Sequence, residues 1–264
     1  MSRLVIFAKG NLDVKDTLHS LTINGQVLWN GVNEIVRTRF AGKTIRVRHE
    51  TWTRSDALLA ATGDVPGELA ERKLELAPYP LRSQFSKELF ESIADVFVLS
   101  LQPDVTTTLF RHRTTGHLFY ACNWEKWLIE DRRWFQHNFI EAAALDVEHS
   151  MRNFASIVQK IRARSQAPIL VYNLSSVIPG ETIYNYEALD ECYSTRIRRF
   201  NLALIELSRQ TGISIVDVDR VVARIGADRV KLDAVHLNAE GCRLVSEEVV
   251  TILEDLGVLT EAEA

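Results

Sequence analysis

Two residues near the end of the chain have the types and the spacing that general-base chemistry requires. Asp233 and His236 lie three positions apart in the segment DAVHLN, between a strand-like stretch and a helical pattern. A carboxylate at this spacing can hold one imidazole nitrogen and leave the other facing a pocket, which orients a histidine as a base. We interpret Asp233 as the orienting acid and His236 as the base. The alternative for this pair is a hydrogen bond that only fastens the loop to the sheet.

A second group of candidates follows the first apolar run of the chain. Gly10 and Asn11 form a turn signal, and Asp13 comes at the start of the helical pattern that follows. The free amides and the dipole at a helix start favour an ionised carboxylate. Asp13 could therefore attack a substrate, bind a cation or orient a water for His236, or it could simply cap the first turn. We expect Gly10 and Asn11 to contact the substrate.

Three further side chains are expected to contact a substrate. Arg54 could supply a fixed cation, or it could form a surface pair with Asp56. Gln102 follows an apolar stretch and could donate a hydrogen bond. Ser175 follows another such stretch, where a turn or capping role is the alternative.

The sequence predicts neither a metal site nor a cofactor. His112, His117 and His137 lack the spacing of metal ligands, and His49 is expected to be structural. The three cysteines are scattered, with no CxxC pair, which indicates neither a zinc site nor a disulfide framework.

Apolar runs alternate with helical patterns along the chain, which is typical of an α/β protein with a parallel sheet. Strands are predicted at 4–8, 45–48, 96–101, 169–172 and 214–218, and helices at 12–21, 32–40, 54–61, 145–164, 188–210 and 239–256. This order predicts a three-layer α/β/α sandwich with a five-stranded, mainly parallel sheet. The loops after the strands should meet in one cleft, because ligands bind at the carboxyl ends of parallel strands.

The whole chain, 1–264, is predicted to be one domain with an aromatic-rich insertion at about 111–142. The insertion contains Trp124, Trp127 and Trp134 among charged residues. It is expected to be loops and a short helix that cover or line a pocket. Aromatic anchors of a small peripheral core are the alternative.

Composition narrows the classes of partner. A net charge of −4 provides no basic field for nucleic acid, and the first apolar run is too short to span a membrane. The few cysteines favour a reduced, cytoplasmic location. A small-molecule substrate or ligand is the expected partner, and the oligomeric state stays open.

The closing block Asp233, His236, Asn238 and Gly241, together with the turn after the first strand, resembles the SGNH/GDSL hydrolases. The resemblance covers most of the chain. It implies a flavodoxin-like sandwich and an esterase, lipase, acetylhydrolase or thioesterase ancestry. It also implies that Asp233 orients His236 and that His236 is the base.

The sequence departs from this family at the nucleophile and at the oxyanion donors. Leu12 stands where the family has its serine, the segment 50–54 contains no glycine, and Gln102 is followed by Pro103. Loss of a catalytic serine costs about 10⁶-fold in turnover, and loss of one oxyanion donor about 10²–10³-fold. Two hypotheses remain. One is a hydrolase or acyltransferase with an altered nucleophile, and the other is an inactive SGNH-fold protein that binds a ligand or protein partner in the former active-site cleft.

Overall fold

The computed structural model describes residues 2–51, 54–178 and 191–259. In these ranges the strands are β1 (Ser2–Lys9), β2 (Leu21–Ile23), β3 (Gln26–Trp29), β4 (Lys43–Glu50), β5 (Val96–Ser100), β6 (Phe110–His112), β7 (Leu118–Phe119), β8 (Phe139–Glu141), β9 (Ile169–Tyr172) and β10 (Ser214–Val216). The helices are α1 (Leu12–Leu18), α2 (Asn33–Arg39), α3 (Ser55–Ala60), α4 (Gly67–Ala70), α5 (Leu81–Gln84), α6 (Glu88–Glu91), α7 (Gln102–Thr106), α8 (Ile129–Asn138), α9 (Val147–Arg162), α10 (Tyr193–Thr211), α11 (Val218–Ile225), α12 (Ala227–Val230) and α13 (Ala239–Asp255).

Five strands form the central sheet in the order β10-β9-β5-β1-β4. Every neighbouring pair in this sheet is parallel. Helices cover both faces, so the predicted three-layer α/β sandwich is confirmed. The carboxyl ends of all five strands consequently lie along one edge of the sheet.

Two cores fill the space between the sheet and its helices. Alternate residues of β1 point to opposite faces: Ile6 packs with α1, α2, α11 and α13, whereas Phe7 packs with α3, α9 and α10. All five residues of β5 are buried, as expected for a central parallel strand. The helix α9 buries positions 150, 154, 157, 158 and 161, a helical stripe, and its first turn is capped by Asp146, which accepts from the His149 amide at 2.7 Å.

Element boundaries differ from the prediction where local signals were weak. The first helix ends at Leu18 instead of residue 21, because the chain turns into the antiparallel hairpin of β2 and β3. The last strand ends at Val216, and Val218 already begins α11. The predicted start of the helix at 188 lies outside the described residues, and α10 is described from Tyr193.

The aromatic-rich segment 111–142 contains more strand than predicted. β6, β7 and β8 form a separate antiparallel sheet in the order β7-β6-β8, and α8 packs beside it. Trp127, Phe135 and Phe139 are buried in a core of their own, so the structure shows the peripheral core that was the alternative for this segment. The other buried members of this core are Leu69, Leu76, Phe85, Phe119 and Ala121.

Within the described residues, no helix combines the length and the apolar character needed to cross a membrane.

Gly31, just before α2, packs directly on the backbone at the end of α1. Gly31 has a φ of +82°, and a Cβ built there would lie 2.2 Å from the His19 carbonyl oxygen. Gly25 has nearly the same φ, +78°, with open space around it. We expect Gly31→Ala to lower the free energy of unfolding by about 3 kcal/mol, because steric overlap adds to backbone strain, and Gly25→Ala by about 1 kcal/mol from strain alone. Urea denaturation measures both changes, and equal losses in the two variants would contradict this role of Gly31.

Candidate active site

A narrow cleft opens at the carboxyl edge of the central sheet. Its lining comes from four of the loops predicted to meet there, those after β1, β5 and β9 and the loop before α13. The lining residues are Asp13, Thr17, Gln102, Tyr172, Asn173, Leu174, Ser175, Val218, Lys231, Ala234, Val235 and Leu237. The empty space measures about 400 Å³, but only about 20 Å³ of it admits the centre of a water molecule. That space suits roughly one ordered water.

Asp233 and His236 form the predicted pair in the loop whose residues Ala234, Val235 and Leu237 line this cleft. The Asp233 Oδ2 lies 2.7 Å from the His236 Nδ1, and the Asp233 Oδ1 accepts from the amides of Val235 and His236. Partial burial by itself would raise the pKa of Asp233, but these hydrogen bonds hold it below its ordinary value. An ionised carboxylate only accepts, so the Nδ1 carries the proton and the Nε2 keeps its lone pair. No described residue is hydrogen-bonded to that Nε2.

The start of α13 fixes the loop that carries His236. The Asn238 side-chain oxygen caps this helix by accepting from the Gly241 amide at 3.0 Å. The Asn238 backbone amide donates to the Val230 carbonyl at 2.9 Å. Gly241 packs directly on Val230, since a Cβ at this position would lie 2.7 Å from the Val230 carbonyl oxygen. Asn238 and Gly241 therefore hold the loop, and they need not touch a ligand.

Asp13 lies in the first turn of α1 and lines the cleft. Its Oδ2 accepts from the Ser100 hydroxyl at 2.5 Å, whereas its buried Oδ1 has no hydrogen-bond partner among the described residues. Burial raises the pKa of Asp13 to about 6, against the opposing effects of the Ser100 hydrogen bond, the Val14 amide and nearby His236. An unpartnered, buried carboxylate oxygen in a cleft is costly unless it serves a ligand or a water.

Two buried amide side chains near Asp13 also have unpartnered oxygens. The Gln102 side chain lines the cleft, and its Oε1 has no partner among the described residues. The Asn11 Oδ1 is likewise unpartnered, and Asn11 occupies the N-cap of α1 without capping it. Either end of an amide can face a ligand, so contact of Asn11 and Gln102 with a substrate stays a prediction.

Gly10 and Ser175 have structural explanations beside their predicted contact with substrate. A Cβ on Gly10 would lie 2.6 Å from the Val14 side chain, and the Gly10 carbonyl accepts from the His49 Nε2 at 2.7 Å. His49 is thus the structural histidine that was expected. The Ser175 hydroxyl lines the cleft and donates to the Val177 carbonyl at 3.2 Å, which is a turn contact. Contact of these two residues with substrate stays a prediction.

Arg54 does not offer a free cation to a substrate. Its guanidinium is 2 % exposed, and it is bound by Asp56 at 2.7 Å and by the Ala143 carbonyl at 2.8 Å. The pair with Asp56 that was the alternative is therefore present, although Arg54 is buried and not at the surface. The physical reason is that the loop before α9 packs over α3 and satisfies the donors of Arg54.

Sequence reasoning missed several polar residues at the cleft, among them Ser100, Tyr172 and Thr17. Ser100 ends β5 and contacts Asp13, whereas Tyr172 ends β9 and shares a 3.0 Å hydrogen bond with the Thr17 hydroxyl. Ser100 and Tyr172 could have been found from the sequence, because each is a polar residue at the end of an apolar strand. Thr17 could not be found in this way, because its partner is far away in sequence.

The position of Leu12 explains what this site cannot do. Leu12 is the first residue of α1 and has no hydroxyl, and no described serine is hydrogen-bonded to His236. A serine–histidine–aspartate triad is therefore not assembled by the described residues. What the site does assemble is a base, a buried carboxyl and an amide around room for one water.

Comparison with known proteins finds matches to the structure of this chain but none to its sequence. No protein-family model matches the sequence, and neither does any curated protein. A lipase/acylhydrolase from Enterococcus faecalis aligns over 100 % of both chains with a TM-score of 0.55 and 10 % identity. A proposed SGNH hydrolase from Slackia heliotrinireducens aligns over 95 % of this chain and 98 % of its own, with a TM-score of 0.50 and 14 % identity. The chain has the SGNH/GDSL hydrolase fold. An acetyl xylan esterase, AlAXEase, shares this fold at 11 % identity, covering 95 % of this chain and 100 % of its own with a TM-score of 0.52.

Burial of Asp13 should make stability depend on pH. Its folded-state pKa, about 6, lies above the ordinary 3.8, so the folded protein holds more protons than the unfolded chain between these values. The free energy of unfolding therefore falls as pH rises through this window. Asp13→Asn should remove this cost and raise stability at pH 7 by an amount on the order of 2 kcal/mol, with the gain vanishing towards pH 4.

Urea denaturation at several pH values measures this gain. Asp16→Asn, three residues further along the same helix, controls for the loss of one negative charge. A gain for Asp13→Asn that is independent of pH would contradict the burial argument.

Proposed function

We propose that this protein hydrolyses an ester or acyl group of a small molecule, with a water molecule as the nucleophile. His236 activates the water, Asp233 orients His236, and Asp13 positions the water. The observation that carries this proposal is the unpartnered Oδ1 of Asp13 in a cleft that has room for one water, beside a histidine with a free Nε2.

Each residue has a defined task in this reaction. One water proton is held by the Asp13 carboxylate, and the other passes to the His236 Nε2 as the water oxygen bonds to the carbonyl carbon. Collapse of the tetrahedral intermediate breaks the bond to the leaving oxygen, which takes the proton back from the imidazolium. Asp233 stabilises that imidazolium through the 2.7 Å contact with its Nδ1. Gln102 donates from its side-chain amide to the developing oxyanion.

Asp13 suits positioning better than direct attack. A carboxylate that attacks an ester forms an anhydride and must expel an alkoxide, which is a much poorer leaving group. Orienting a water requires only an accepting oxygen, and the buried Oδ1 supplies one. The fold it shares with a lipase/acylhydrolase and an acetyl xylan esterase supports acyl-ester chemistry as the reaction class.

A second candidate function is binding without turnover. Leu12 at the position of the family's serine favours it. In this case the Asp233 and His236 pair only fastens the loop, and the cleft holds a ligand or a segment of a protein partner.

The decisive experiment measures hydrolysis of a panel of short acyl esters, thioesters and acetylated sugars by the wild-type protein and its variants. We expect His236→Ala to lower kcat/KM by about 10³-fold and Asp13→Asn by about 10²-fold, with unchanged far-UV circular dichroism. His19→Ala is the matched control, because His19 is an exposed histidine at the end of α1 and should leave turnover unchanged.

Labelled water separates the two roles of Asp13. After many turnovers in H₂¹⁸O, direct attack by water places ¹⁸O in the product acid and leaves the Asp13 carboxylate unlabelled. Label in the peptide that contains Asp13 would show that this carboxylate is the nucleophile. No turnover on the whole panel, together with ligand affinity that His236→Ala leaves unchanged, would establish the binding function in place of hydrolysis.

A further inference from the structure

Three ligand-type side chains converge in the aromatic-rich part of the chain, although the sequence indicated no metal site there. Glu68 in α4, His112 in β6 and His117 before β7 each offer an atom, and these atoms all lie within 4.8 Å of one another. The Nε2 of His112 is 3.1 Å from one Glu68 oxygen, and the Nε2 of His117 is 3.7 Å from the other. His112 is 6 % exposed, and both Nε2 atoms are buried without an aligned hydrogen-bond partner among the described residues.

The Thr115 hydroxyl contacts the Nδ1 of both histidine rings, the nitrogen that does not face Glu68. The Thr115 Oγ1 lies 2.9 Å from the His112 Nδ1 and 2.7 Å from the His117 Nδ1. A hydroxyl oxygen has two lone pairs, so it can accept from both rings at once. In that arrangement each Nδ1 carries a proton, and both Nε2 lone pairs point towards Glu68. A hydrogen bond to the ring nitrogen that does not bind the metal usually fixes the tautomer of a metal-binding histidine.

Two neutral histidines leave one ring lone pair of this cluster facing Glu68. If both neutral histidines carry their proton on Nε2, Thr115 can donate to only one Nδ1, and its oxygen faces the other lone pair to lone pair. If either ring carries its proton on Nδ1, the Nε2 of that ring presents a lone pair to the Glu68 carboxylate. The arrangement that satisfies the most contacts has the His112 proton on Nε2 and the His117 proton on Nδ1, and it leaves the His117 Nε2 lone pair facing a Glu68 oxygen 3.7 Å away. A metal ion between the three ligand atoms would take up this lone pair.

The distances favour a metal ion. Ligand atoms bound tetrahedrally at about 2.1 Å are separated by about 3.4 Å. The two histidines lie 3.1 and 3.7 Å from different oxygens of Glu68, and one ligand atom from each residue lies within 4.8 Å of the others, so a small inward shift of the side chains would complete the site. Two imidazoles and one carboxylate match the donors that zinc takes in proteins. We propose that Glu68, His112 and His117 bind one zinc ion, with Thr115 positioning both rings.

Zinc binding changes one set of contacts in the cluster. The amides of Thr114 and Thr115 approach the His112 Nδ1 at 3.3 and 3.1 Å, contacts that suit the metal-free form with a proton on the His112 Nε2. On binding, the proton of this ring moves from Nε2 to Nδ1, so the two amide contacts are lost and the Nδ1 donates to the Thr115 Oγ1 instead.

This ion would join two parts of the fold that are separate in sequence. Glu68 belongs to the short helix α4, whereas the histidines belong to the small antiparallel sheet. None of the three residues is among those that line the active-site cleft. The proposed zinc site is accordingly separate from that cleft, and a bound ion would fasten α4 to the small sheet.

The test uses the full chain, freed of metal by chelation and desalting. Zinc alone is then titrated against a competing chromogenic chelator. We expect one equivalent per chain, an affinity about 10-fold weaker in Thr115→Val, and a larger loss in His112→Ala and Glu68→Gln. Bound zinc should also raise Tm in the wild type and not in Glu68→Gln.

Glu68→Gln keeps the size of the side chain, and circular dichroism verifies that it folds, so the proposal does not depend on His112→Ala being stable. His137→Ala, an exposed histidine in α8, is the matched control and should bind zinc as the wild type does. Equal zinc affinity in the wild type and Glu68→Gln would overturn the site. So would a wild type that retains no zinc, in which case the cluster is a set of hydrogen bonds around Glu68.

Discussion

Parallel pairing of β1 between β4 and β5 is the constraint on which the rest of this molecule depends. Because every pair in the central sheet is parallel, all strand ends that carry polar residues lie along one edge. β5 is buried along its whole length, so a polar group at its end has no route to bulk water and must find a protein partner or a ligand. Ser100 finds that partner in Asp13, and this contact joins the end of β5 to the first turn of α1. The cleft exists because these two elements meet there.

The degree of burial also influences the pKa values of the two carboxyl groups of the candidate site. Removing Asp13 from water raises its pKa to about 6, and a single hydroxyl contact does not offset this. Asp233 lies nearer to solvent, where local amides and the His236 ring hold its pKa below the ordinary value. Two carboxyl groups near one cleft thus have different pKa values because their surroundings differ. Such a difference is typical of sites that separate the orienting and proton-holding roles.

The segment 111–142 follows a different physical principle. It has no long helix and no parallel strand, and its stability comes from packed aromatic rings. Phe135 lies in edge-to-face contact with Phe110 at 4.8 Å and stacks with Phe139 at 5.2 Å. This small core brings His112 and His117 into stacked rings with centroids 4.9 Å apart beside Glu68. Forty-four positions separate Glu68 from His112, so no local spacing rule could have paired them.

The sequence by itself determined the layer architecture, the position of the five central strands and the Asp233 and His236 pair, because these depend on short-range periodicity and on residues three apart in one loop. Boundaries such as the end of α1 at Leu18 could not be predicted, since a hairpin that packs on α1 ends the helix. Only the tertiary structure decided that Arg54 is bound by Asp56, that Asp13 keeps one oxygen unpartnered, and that Glu68 faces two histidines. Each of these depends on which distant segment supplies a donor or an acceptor. Desolvation depends on which residues are close in space, and neighbouring positions in the sequence do not reveal this.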